Sequence, residues 1–129
     1  MLVLIQIIVK IDLARYKYVD LDIDRAKMFL EKMREKFGSI RDIDESFRYI
    51  ENFDEFFNLM KKKFKEFLAL PHTPDDYIKS KVVIDKIRLY KSDSGKRVVF
   101  VLDRRVDRKL IEDLLKSIGY EKVVFEKLF

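Results

Sequence analysis

Apolar and polar positions follow two periods along this chain, and the switches between them predict its elements. Residues 2–9 form a continuous apolar, β-branched run broken only by Gln6. That pattern predicts a strand buried on both faces. Residues 12–15 interrupt the run, and residues 16–23 then alternate. Tyr16, Tyr18, Asp20 and Asp22 fall on one face, and Lys17, Val19, Leu21 and Ile23 on the other. The pattern leaves open whether the two stretches pair or form one bent strand. Helical spacing follows in Ala26, Phe29, Leu30, Met33 and Phe37, with Asp24 expected as N-cap and Gly38 at the C-terminal cap. Asp42 or Asp44 is expected to cap a second helix carrying Phe47 and Ile50. A third begins near Asp54. Its expected stripe is Phe53, Phe56, Phe57, Met60, Phe64, Phe67 and Leu68, with Lys61, Lys62, Lys63 and Lys65 opposite. Pro71 and Pro74 are expected to end this helical block.

The second half changes period. Residues 82–90 read as a strand, Ser92-Asp93-Ser94-Gly95 as a turn and residues 98–102 as the partner strand, together a hairpin. Val106, Leu110, Ile111, Leu114 and Leu115 share one face of a helix closed by Gly119, and residues 122–129 form a last strand. The order predicts a single α+β domain over residues 1–129. It would have two layers: a mainly antiparallel or mixed sheet with helices largely on one face, in an elaborated ferredoxin-like layout.

Composition narrows the chemistry. The 129 residues suit one domain, and 48% hydrophobic residues provide for a core. Charged residues reach 40%, with 28 Lys and Arg against 23 Asp and Glu, a net charge of +5. No cysteine is present, which excludes disulfides, thiol nucleophiles and Cys-ligated metal. The lone histidine, His72, excludes a site of several His ligands. The opening apolar run is shorter than the roughly 20 residues needed to cross a bilayer and lacks signal-peptide flanks. No membrane partner and a cytoplasmic location are therefore expected. Many charges with few Gly and Pro suggest a heat-adapted source.

The sharpest local feature is Asp20-Leu21-Asp22-Ile23-Asp24. On a strand its carboxylates share one side, the arrangement that binds Mg²⁺ or Mn²⁺ in phosphoryl-transfer sites. The alternative is a solvated strand face running into a helix cap. Asp20, Asp22, Asp24 and Glu31 also match calcium-loop spacing, but Arg25 stands where the central Gly is required, which excludes that loop. Ser92-Asp93-Ser94-Gly95-Lys96-Arg97 offers a basic hairpin tip able to receive a phosphate, or an ordinary turn. Tyr18-Val19-Asp20-Leu21-Asp22 with Ser94-Gly95 resembles the first two motifs of archaeo-eukaryotic primases, across residues 16–103. Arg97 replaces that family's second Gly and Val99 its His, and Asp103 is a candidate third acidic residue. The resemblance implies at most a degenerate relative, unable to polymerise.

Basic residues cluster at Lys61-Lys62-Lys63 with Lys65, at Lys79 with Lys81, at Lys96-Arg97 and at Arg104-Arg105 with Arg108-Lys109. Tyr16, Tyr18, Tyr77 and Tyr90 are candidates to stack on bases. The leading expectation is a small basic domain that binds nucleic acid or assists its processing without catalysis. Lys96, Arg97, Arg104 and Arg105 are its contacts, on the expectation that the hairpin tip and the next helix's start lie near each other. No catalytic residue and no cofactor are assigned. The second expectation is a divalent-metal-dependent phosphoryl-transfer enzyme, or a degenerate primase-like remnant, holding Mg²⁺ or Mn²⁺ on Asp20, Asp22 and Asp24. The third is a homodimeric protein-interaction module built on the Phe-rich helix. His72, next to Asp75 and Asp76, reads as a general base, a single metal ligand or a loop histidine.

Overall fold

The computed structural model describes residues 5–79 and 82–129. β1 (Gln6–Ile11) and β2 (Lys17–Asp22) pair antiparallel, with Lys10 opposite Tyr18 and Ile11 opposite Lys17. The two stretches are therefore a hairpin and not one bent strand. Residues 2–4 of the expected first strand lie outside the described residues. Contrary to expectation, β1 is buried on one face only. Ile7, Val9 and Ile11 turn inward, while Gln6, Ile8 and Lys10 are exposed because no helix covers them.

The expected alternation of β2 holds, with Lys17, Val19 and Leu21 buried. α1 (Ile23–Phe37) follows directly and buries Ala26, Phe29, Leu30 and Met33. Its cap is Asp22 and not Asp24: the Asp22 carboxylate accepts from the Arg25 amide at 2.9 Å, and Asp24 stands exposed in the first turn. Gly38 closes the helix at φ 82°, where a side chain would be strained. α2 (Arg41–Glu51) has Ile40 at its N-cap, with no side-chain cap from Asp42 or Asp44.

α3 (Phe53–Lys62) buries Phe53, Phe56 and Met60 but ends before the expected stripe does. The Lys65 amide returns to the Met60 carbonyl at 2.9 Å, with Phe64 left-handed at φ 54° and 96% exposed. This is the helix-terminating position where glycine is usual, so apolar spacing alone overran the helix. Leu68 belongs to the short strand β3 (Leu68–Ala69). Pro74 starts a helix instead of ending one. α4 (Pro74–Ile78) is capped by Thr73, which accepts from the Asp76 amide while the Asp76 carboxylate accepts from the Thr73 amide.

β4 (Ile84–Ser92) and β5 (Gly95–Leu102) form the expected hairpin, with Ser92 opposite Gly95. α5 (Arg108–Ser117) begins after Val106, with Asp107 as its cap, and β6 (Lys122–Lys127) ends the fold. The six strands form one mixed sheet in the order β3-β4-β5-β2-β1-β6. Every pairing is antiparallel except β1 with β6. A four-stranded ferredoxin-like sheet would set β6 beside β2; here β1 stands between them.

The core joins the inward faces of β1, β2, β4 and β5 to α1, α2, α3 and α5. Phe29 and Phe100 are fully buried at its centre, their ring centroids 5.5 Å apart. The other sheet face carries Ile8, Lys10, Tyr18, Asp20, Arg88 and Tyr90, none of them fully buried. No helix among the described residues is long and apolar enough to cross a membrane.

Candidate functional site

The expected cations flank β5: Lys96 and Arg97 lie at its start, and Arg104 and Arg105 lie in the turn beyond its last residue, Leu102. The extended stretch from Arg97 to Leu102 alone spans about 17 Å at roughly 3.3 Å per residue. The hairpin tip and the start of α5 are therefore not neighbours, and the four expected contacts form two separate sites.

At the tip end the charges are already paired. The Lys96 ammonium donates to Asp54 at 3.1 Å, and Lys91 lies 3.5 Å from the same carboxylate. These lysines hold the Asp54 carboxyl below its ordinary range. Arg97 Nε donates to Asp20 at 3.0 Å, and the Tyr90 hydroxyl donates to the other Asp20 oxygen. Burial, with that carboxylate beside it, pushes the Tyr90 phenol up.

Strand register sets Asp22 opposite Arg97, so the acidic strand and the Ser94 turn do lie side by side. Asp22, Asp24, Ser94, Lys96 and Arg97 line one shallow depression of about 760 Å³. The aspartates nevertheless do separate work. Asp20 faces Tyr90 and Arg97, Asp22 caps α1 and pairs with Arg25 at 3.2 Å, and Asp24 is exposed. Among the described residues no three His, Cys, Asp or Glu side chains are grouped to hold a metal ion.

The opposite end of the sheet is different. A cleft of about 800 Å³ opens between the β1–β2 turn, the loop from β5 to α5 and the end of β6. Arg15, Arg104, Arg105, Arg108 and Lys127 line it, with Asp12 and Asp107. Its walls are fixed from beneath. Lys17, 6% exposed, sends its ammonium to the carbonyls of Arg104 and Val106, both at 2.7 Å. Desolvation lowers the Lys17 pKa, and Asp103 nearby opposes that shift.

Buried Asp103 accepts from the Arg105 amide at 3.2 Å and from Arg105 Nε at 3.0 Å, and its own amide bonds to Val83. The Arg105 guanidinium also lies 5.6 Å from the centre of the exposed Tyr77 ring. Across the cleft, Asp12 accepts from the Tyr16 amide at 3.0 Å and the Tyr18 hydroxyl at 2.9 Å. Burial and that carboxylate push the Tyr18 phenol up to about 12. The turn holds Arg15 left-handed at φ 73°, with its amide bonded to the Asp12 carbonyl.

The acids of the cleft are thus committed to the backbone and to Tyr18, while of its cations only Arg105 is paired with an acid, Asp103, among the described residues. Arg15, Arg104, Arg108 and Lys127 make no ion pair among the described residues. Sequence reasoning selected Arg104 and Arg105 but missed Arg15 and Lys17. The only local signal was a basic residue ending the break between two strands. Lys61, Lys62, Lys63 and Lys65 are exposed around the end of α3, away from this cleft.

His72 is not a surface base. Its ring is nearly enclosed, with Nε2 3.5 Å from Asp42 Oδ2, and among the described residues neither Asp75 nor Asp76 forms an ion pair with it. The Phe-rich stripe of α3 is core: Phe53, Phe56 and Met60 are buried. Compared with known proteins, the chain matches no family model, no curated protein and no solved structure.

Proposed function

We propose that this domain binds nucleic acid through its phosphate backbone, as a non-catalytic accessory module, with the cleft between Arg15, Arg104 and Arg108 as the contact. The observation that carries the reading is a concave site in which Arg15, Arg104, Arg108 and Lys127 have no carboxylate partner among the described residues. Arg side chains meet phosphate oxygens through two parallel N–H donors, and several cations gathered in one cleft suit a ligand that carries successive negative charges, as a phosphate backbone does. The net charge of +5 adds long-range attraction. Arg105, steadied by Asp103 and Tyr77, is a preorganised rim donor. Such a ligand implies a cytoplasmic setting. On the same reading the order β2-α1-β4-β5-α5-β6 is ferredoxin-like, with β1 inserted before the last strand.

The test is fluorescence anisotropy with labelled single-stranded DNA, duplex DNA and RNA across a salt series. Three phosphate contacts predict a log–log salt slope of about −2 for a single strand. Arg104→Ala/Arg108→Ala should weaken binding about tenfold or more, and Lys96→Ala should leave it unchanged. Absence of binding at low salt, or a double variant that binds like the wild type, would overturn the proposal.

A further inference from the structure

The sheet has two edges, and they differ. β3 is two residues long, too short to template another chain. β6 is six residues long, lies at the opposite end of the strand order and has no proline, glycine or bulge to blunt it. Its central Val123, Val124 and Phe125 are only partly buried.

Hydrogen bonding shows which backbone groups of β6 face outward. The Lys122 amide donates to Ile5 and the Leu128 amide to Ile11, both on the β1 side. Inward groups recur every second residue in a parallel pair, so Val124 and Glu126 face β1 as well. The amides and carbonyls of Val123 and Phe125 face away from the sheet.

We infer that β6 is a homodimer edge, pairing antiparallel with β6 of a second copy about a two-fold axis at Val124. The sequence Glu121-Lys122-Val123-Val124-Phe125-Glu126-Lys127 is complementary to its own reversal at this register and no other. Lys122 meets the partner's Glu126, Val123 meets the partner's Phe125, and Val124 meets the partner's Val124. Glu121 and the partner's Lys127 continue the pattern outward. Antiparallel geometry requires opposed residues to be both hydrogen-bonded or both not. Val123 and Phe125 both face outward, so they can exchange backbone hydrogen bonds, while the Val124 pair is the close, non-bonded one. An axis at Phe125 would set Val123 against Lys127 and Val124 against Glu126, opposing apolar groups to charges. An axis between Val124 and Phe125 would oppose outward groups to inward ones.

The occupant is argued from this charge and hydrogen-bond complementarity, and the side chains agree with it. Val124 lies beside Ile8 in the β1–β6 register, and Ile8 is 41% exposed on the helix-free face. Two-fold pairing would join both Ile8–Val124 pairs into one apolar strip. Two six-stranded sheets would become one continuous sheet.

The experiment is sedimentation equilibrium over a concentration series on the full chain, with Lys122→Glu, Glu126→Lys and the double charge swap. Each single variant sets like charges opposite one another twice in the dimer and should raise Kd about tenfold. The double swap restores opposite charges and should return Kd to within about threefold of wild type. Circular dichroism checks that each variant is folded. Amide exchange of the wild type gives a readout free of mutation: Val123 and Phe125 should slow as protein concentration rises. A monomer at every concentration, a dimer indifferent to the single variants, or Val123 and Phe125 amides whose exchange ignores concentration would overturn the inference.

Discussion

Asp42 of α2 and His72 of the loop before α4 face each other in the interior, carboxylate oxygen to ring nitrogen, 3.5 Å apart. The same Asp42 oxygen accepts from the amides of Val83 and Ile84, at 2.7 and 2.9 Å, and so ties α2 to the start of β4. Removing it strands two buried N–H groups. Asp42→Ala should therefore cost about 3 kcal/mol, at roughly 1–3 kcal/mol for each donor left unsatisfied. Urea unfolding measures it, and a loss below about 1 kcal/mol would deny the carboxylate this structural role.

The same residue predicts a pH dependence. Burial raises the Asp42 carboxyl above its ordinary 3.8, and the two backbone donors and His72 oppose that rise. The folded protein thus holds this proton more tightly than the unfolded chain. The resulting stabilisation is complete below 3.8 and is lost as pH rises through the folded value. Asp42→Asn lacks this titration. Its stability relative to wild type should improve as pH rises from about 4 and then level off. A relative stability that stays flat over that range would contradict the expectation.

Arg15 sets folding against binding. Its φ of 73° is costly for a residue with a Cβ, by roughly 1 kcal/mol, and glycine would relieve that cost. Arg15→Gly should raise stability by about 1 kcal/mol while weakening low-salt nucleic-acid binding about fivefold. Thermal unfolding and anisotropy on one preparation test both halves. A variant that gains stability and keeps full affinity would take Arg15 out of the binding site.

Phe64 and Phe56 separate a real core position from an apparent one. Phe64 is 96% exposed and left-handed, whereas Phe56 is buried against Tyr49, with centroids 4.6 Å apart. Phe64→Gly should stabilise by about 1 kcal/mol, and Phe56→Ala should cost about 3–4 kcal/mol. Equal losses at the two sites would mean that the helix continues through residue 64.

The elements legible in the sequence are those whose signals are local. β2, α1, the β4–β5 hairpin and α5 each show their own period, and Gly38 and the Ser92–Gly95 turn mark their boundaries. The misreadings share one cause. The outer face of β1 is open because the helices gather on the other side, and Gln6 and Lys10 mark that face only weakly, with Ile8 between them. Asp42 looks like a helix cap by position, yet its partners lie 41 and 42 residues downstream. Phe64 fits an apolar spacing that a left-handed turn had already ended.

The candidate site was half legible for the same reason. Arg104 and Arg105 were readable as basic residues ahead of a helix. Arg15 joins them only because β2 pairs with β5, with Lys17 opposite Leu102, and that register carries the β1–β2 turn to the β5–α5 loop. Strand length equally separated Lys96 and Arg97 from that loop. By itself the sequence determined the α+β class, most of the elements and the palindromic charge pattern of the last strand, since periodicity and turn chemistry act over a few residues. Tertiary structure alone decided which charges are neutralised and which stay free, because pairing depends on distances set by sheet order and register.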